Sequence, residues 1–147
     1  MATTTLPATR QRLAPIAVST WAVAVFWTFY GADDWTEIAI ALATITVAAG
    51  LVFGLVVPRA LRRGSAPGWS VGLGIVAVLA TMPAFWSGVP LILGVAAAVL
   101  GNSSRTAERR SGTAITGLVL GVIAVLGYLA IYIGDGVFLG HSGFLFD

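Results

Sequence analysis

From Gly64 to Ser104 the chain carries no ionisable side chain. A hydrocarbon core ~30 Å thick is crossed by about 20 apolar residues in a helix. An uncharged stretch well beyond that length belongs in a bilayer, because a small soluble domain cannot cover so much apolar surface. The whole chain agrees: of its 147 residues, 58% are hydrophobic and 10% are charged, against about 25% charged in soluble domains. The expected fold is all-α, a polytopic bundle of transmembrane helices.

Within and beyond that stretch one phrase recurs: Leu73-Gly74-Ile75-Val76-Ala77, Leu93-Gly94-Val95-Ala96-Ala97 and Leu120-Gly121-Val122-Ile123-Ala124. Each copy places Gly and Ala three residues apart. That spacing makes a smooth stripe on a helix, against which a second helix can approach closely. Gly50/Gly54, Gly68/Gly72, Gly94/Ala98 and Gly117/Gly121 extend the pattern at a spacing of four. Gly50, Gly54, Gly74, Gly94, Gly117 and Gly121 are therefore expected to pack helices, within one chain or between subunits.

The chain divides into four parts. Residues 1–12 are a polar, disordered cytoplasmic tail. Residues 13–63 form a two-helix membrane hairpin, with spans at Leu13 to Ala32 and Glu37 to Val57. The first span is an uncleaved anchor rather than a signal peptide, because bulky Tyr30 sits where a cleavage site needs a small side chain. Pro58 is expected to end the second span, and Gly64 to Gly68 to form a loop. Trp27, Phe29, Tyr30 and Trp35 read as an aromatic belt at the outer interface.

Residues 68–134 form a Gly/Ala-rich three-helix unit. As one helix, Trp69 to Gly101 would run ~50 Å, too long for a bilayer. Pro83, Gly88 and Pro90 break it into a span from Trp69 to Phe85 and a short arm from Val89 to Gly101, ~20 Å long. Asn102 to Gly112 is a polar loop, and the last span runs from Thr113 to Gly134. Residues 135–147 are an interfacial tail.

The arginines test the count. All eight basic residues are Arg, and basic loops stay cytoplasmic. Five spans with the N-terminus inside and the C-terminus outside put every Arg on the cytoplasmic side. Asp33, Asp34, Glu37, Asp135 and Asp147 then fall outside. The alternative is four spans with the Val89 to Gly101 arm short or re-entrant, buried by its neighbours. Arginine in place of lysine, with much Ala, Gly and Val, points to a GC-rich bacterial genome, so the expected location is the bacterial plasma membrane.

Chemistry is sparse. No charged residue falls inside a span, which counts against ion-coupled transport, since intramembrane ionisable groups mark ion paths. Asp33, Asp34 and Glu37 lack Ca²⁺-loop spacing and read as an outer turn that caps the second helix. His141 has no partner His or Cys and reads as a tail residue rather than a ligand or base. There are no cysteines. Arg59, Arg62, Arg63, Arg105, Arg109 and Arg110 are expected to contact anionic lipid, at about 1 kcal/mol each, or an acidic partner. Six Arg on short loops offer nothing that reads nucleic acid.

The run Arg110-Ser111-Gly112-Thr113-Ala114-Ile115-Thr116-Gly117-Leu118-Val119-Leu120-Gly121 resembles a signature of small bacterial membrane proteins grouped as domain of unknown function 4190. Leu73-Gly74, Pro83 with Pro90, Leu93-Gly94-Val95-Ala96-Ala97 and Arg105 to Arg110 resemble its other pieces, covering about Trp69 to Gly134. The two N-terminal spans depart from that pattern. The resemblance implies a fold and a compartment, with no catalytic residues to carry over.

The sequence thus leads to an integral membrane protein without enzymatic activity, metal or cofactor. Its expected partners are the lipid bilayer, other membrane proteins or its own copies. The alternative is an oligomeric subunit moving a small solute or lipid, for which Thr44, Thr46, Ser70, Thr81 and Thr116 are the polar groups available to line a path.

Overall fold

The computed structural model describes residues 12–31, 34–106 and 112–134. These form an all-α bundle, with no strand among the described residues. The helices are α1 (Leu13–Gly31), α2 (Trp35–Arg62), α3 (Ala66–Ala80), α4 (Val89–Thr106) and α5 (Gly112–Gly134). α1, α2 and α5 are each long and apolar enough to cross a membrane; α3 and α4 are shorter apolar helices.

Local chemistry explains each boundary. Asp34 takes an extended backbone and its carboxylate accepts from the Glu37 amide at 2.8 Å, an N-cap that satisfies one of the free amides of α2. The other end of α2 departs from expectation, because the helix runs through Pro58. A proline inside a helix lacks the amide hydrogen, and its ring collides with the carbonyl four residues back. Here Val52–Val56 widens into a π-turn, and the Val57 amide bonds back to the Val52 carbonyl. The wider turn just ahead of the ring accommodates the proline without breaking the rod.

Gly64, not Pro58, ends α2. Its φ of 66° is left-handed, and the Ser65 amide reaches back to the Ala60 carbonyl at 3.2 Å, closing a Schellman-type C-cap. The expected five-residue loop shrinks accordingly. α3 begins at Ala66, with Pro67 in its first turn where no amide is missed.

α3 ends at Ala80, earlier than the expected Phe85, and a turn with the short 3₁₀ piece Phe85–Ser87 leads to Gly88. Gly88 also has a φ of 66°. α4 is longer than expected: it takes in Asn102 to Thr106, which the sequence assigned to a loop, and its 18 residues make ~27 Å rather than ~20 Å.

α3, α4 and α5 pack on one another along their lengths, and the α1–α2 hairpin leans mainly on α4. α4 is the hub. Leu91, Ile92, Ala96, Ala97 and Leu100 on it are almost fully buried, while α1, α2, α3, α5 and the turn before α4 carry the large exposed apolar side chains. Of the two shorter helices, α4 with 18 residues is enclosed by protein, whereas α3 with 15 keeps an exposed apolar face. Val18, Val47, Leu79 and Leu126, each 60–70% exposed, give the outside of the bundle an apolar coat.

Candidate functional site

The contacts that set the bundle are made by glycines of the three-helix unit. A Cβ on Gly121 would stand 2.6 Å from the Ala98 amide nitrogen, and one on Gly101 2.7 Å from the Ala114 carbonyl oxygen. Gly94 faces Gly121, Ala124 and Val125, and Gly74 faces Leu120. A Cβ on Gly117 would fall onto the Ser70 side chain. Ser70 is fully buried and donates from Oγ to the Ala97 carbonyl at 2.7 Å. At one level, then, a hydroxyl from α3 ties α4 while the bare backbone of α5 makes room for it.

Gly50 and Gly54 behave differently. A Cβ at either position meets nothing within 4 Å, and both residues are exposed. Of the two settings expected for them, within one chain or between subunits, these two glycines make no close contact in the first: Ile38, Ala41, Ile45 and Ala49 carry the buried face of α2, and the glycines lie off that face. Gly68 and Gly72 on α3 are open in the same way.

An aromatic cluster joins the hairpin to the three-helix unit. Trp27 of α1 stacks on Tyr132 of α5 with ring centres 5.3 Å apart, and Tyr132 also meets Tyr128 at 4.9 Å and Phe85 at 5.9 Å. Trp27 therefore turns inward rather than serving only in an interfacial belt, whereas Trp35 is 66% exposed. Tyr128 is fully buried and its hydroxyl has no hydrogen-bond partner among the described residues.

Charge separates by end. Because the helices alternate in direction, the start of α1, the end of α2, the end of α4 and the start of α5 share one end of the bundle. Arg12, Arg59, Arg62, Arg63 and Arg105 lie there, all exposed; Asp34 and Glu37 lie at the other. Asp33, Arg109, Arg110 and His141 fall outside the described residues. Among the described residues no group of His, Cys, Asp or Glu could hold a metal ion.

The polar groups considered for a solute path already have hydrogen-bond partners within the chain. Thr44 and Thr116 bond to carbonyls of their own helices, Thr81 just past α3 bonds back to the Ala77 carbonyl, Ser70 is committed to Ala97, and Thr46 accepts from Trp21. Thr46 and Thr116 point to the outside of the bundle.

Two apolar grooves mark the surface. One, about 490 Å³, runs along the exposed face of α3 past Gly68, Trp69, Gly72 and Val76. The other, about 580 Å³, lies between α1 and α2. Some of this was hidden from sequence inspection. Gly101 repeats Gly94 at a spacing of seven, a helical signal that was present, and Gly88 was legible as a break, whereas nothing in the sequence marks Ser70 as a tie between helices or Tyr128 as a buried ring. No family model, curated protein or solved structure matches the chain.

Proposed function

We propose that this chain is a multi-pass protein of the bacterial plasma membrane that acts by packing against a neighbouring membrane helix, from a partner or a second copy, without chemistry of its own. The observation that carries this reading is the open face of α3. Gly68 and Gly72 have the spacing of a close-packing surface, yet a Cβ at either would meet nothing within 4 Å. Close packing at small residues drives helix association in lipid, where apolar burial alone does not.

In this reading all five helices cross or are enclosed within the bilayer, with the arginine end inside. The resemblance to domain of unknown function 4190 agrees with that compartment and adds no activity.

Cross-linking in native membranes, followed by purification and identification of what is attached, tests the role. A distinct membrane protein, or a ladder of this chain, that is lost on Gly72→Leu supports it. No cross-linked species, or species unaffected by that change, overturns it. The cysteine-free sequence also makes orientation easy to test. Ser104→Cys should react with an impermeant thiol reagent only after the cells are opened, and Trp35→Cys should react in intact cells; the reverse pattern overturns the orientation.

A further inference from the structure

We propose that the groove between α1 and α2 is a binding site for an anionic phospholipid, with one acyl chain in the slot and the headgroup at its arginine end. The proposal uses the membrane location described above and is independent of any protein partner.

The slot is apolar along its length. Ala17 of α1 and Ala49, Gly50 and Gly54 of α2 line it. The two glycines leave room that side chains would fill, since nothing stands within 4 Å of either missing Cβ. One end is stopped: Trp21 donates from its indole nitrogen across the slot to the Thr46 hydroxyl at 3.1 Å, and both residues belong to the lining. The other end is bounded by Leu13 and Pro58, whose chain neighbours are the exposed Arg12 and Arg59.

Size and charge both fit this occupant. From Thr46 to Pro58 the slot follows α2 for ~18 Å, close to the ~15 Å of one leaflet of the hydrocarbon core. A single chain of a lipid in the arginine-side leaflet therefore reaches the Trp21–Thr46 stop. Arg12 and Arg59, each one residue along from the lining at that end and exposed, are the cations available to its phosphate. A second copy docked groove to groove about an axis along the membrane normal would instead bring like charges together, which disfavours that occupant.

The test is native mass spectrometry of the full chain in mild detergent. The probe is an equimolar mixture of phosphatidylglycerol and phosphatidylcholine with the same acyl chains. The expected result is one retained lipid, phosphatidylglycerol preferred, with the preference built up about fivefold per arginine. Arg12→Gln and Arg59→Gln should each lower that preference about fivefold. Gly50→Leu and Gly54→Leu should each abolish retention of both lipids while leaving thermal unfolding unchanged.

Retention that survives both glycine changes, or equal retention of the two lipids by the unaltered chain, overturns the proposal. So does a dimer that carries no lipid and becomes monomeric on Gly54→Leu. Failure of the partner reading would show instead in Gly72→Leu, on a different helix.

Discussion

The spacing Gly-xxx-Gly occurs in α5 as Gly117 and Gly121 and in α2 as Gly50 and Gly54, yet the two pairs live in opposite surroundings. In α5 the missing side chains are the condition for assembly, because α3 and α4 occupy the space. In α2 they leave an indentation on the outside. Small residues at a spacing of four define a face that permits close approach, and what approaches is decided by the remaining apolar residues of the helix. On α2 the core face is taken by Ile38, Ile45 and Ala49, so the glycines are left for another occupant. The three-helix unit is fastened by backbone contact, and the hairpin is attached to it through side chains: aliphatic ones against α4 and an aromatic cluster at one end.

The sharpest way to break this contrast is to add side chains. Gly121→Leu and Gly117→Leu push atoms against backbone of α4 or α3 that cannot yield, and overpacking of this kind costs about 1–3 kcal/mol or more. Loss of the folded bundle, read as thermal unfolding in detergent, is the expected outcome. Gly88→Ala comes next. It places a Cβ in a left-handed conformation, costing about 1–2 kcal/mol, and 3.0 Å from Ile45, so it should loosen the hairpin from the turn before α4; an engineered disulfide across that seam would report it.

Ser70→Ala removes the tie to Ala97 and should lower stability by about 1 kcal/mol, within the range measured for hydrogen bonds between membrane helices. Tyr128→Phe should leave stability level or raise it slightly, since the hydroxyl it removes is buried without a partner. Gly50→Leu and Gly54→Leu should change stability by no more than about 0.5 kcal/mol. If either costs as much as Gly121→Leu, the distinction between the two regions fails.

Much of the fold was legible because it follows from apolar length and from punctuation. The absence of charge from Gly64 to Ser104 required helices, and Pro83, Gly88 and Pro90 marked where the long run had to turn. What misled was treating each signal in isolation. Pro58 looked like a stop, and the chain widens around it instead. Asn102, Ser103 and Ser104 looked like a loop, yet they extend α4, where the Ser103 and Ser104 hydroxyls bond to the Val99 and Leu100 carbonyls and so are satisfied within the helix at a small cost. The close-packing glycines of α3, α4 and α5 could be read from spacing. Which glycines face inward could not, since that depends on which helix lies alongside. The aromatic seam was visible only as aromatic residues near span ends, a position that suits an interface equally well.

The π-turn in α2 has a consequence beyond sheltering a proline. Above it the core-facing positions run Ile38, Ala41, Ile45, Ala49 and Val52; below it they run Phe53, Val57 and Ala60. Continued at ordinary helical spacing, the upper series would pass through Val56, Arg59 and Arg63. The turn acts as a phase slip of one residue, about 100° of rotation, which indexes the upper half of the rod to the protein core and swings the guanidinium groups of the lower half out to the rim. Straightening 52–56 to ordinary helical spacing with every residue kept would aim Arg59 and Arg63 at the core, whereas removing one residue would close the turn and leave Val57 and Ala60 facing inward. The single extra residue held in that turn decides which way this end of the molecule presents its charge.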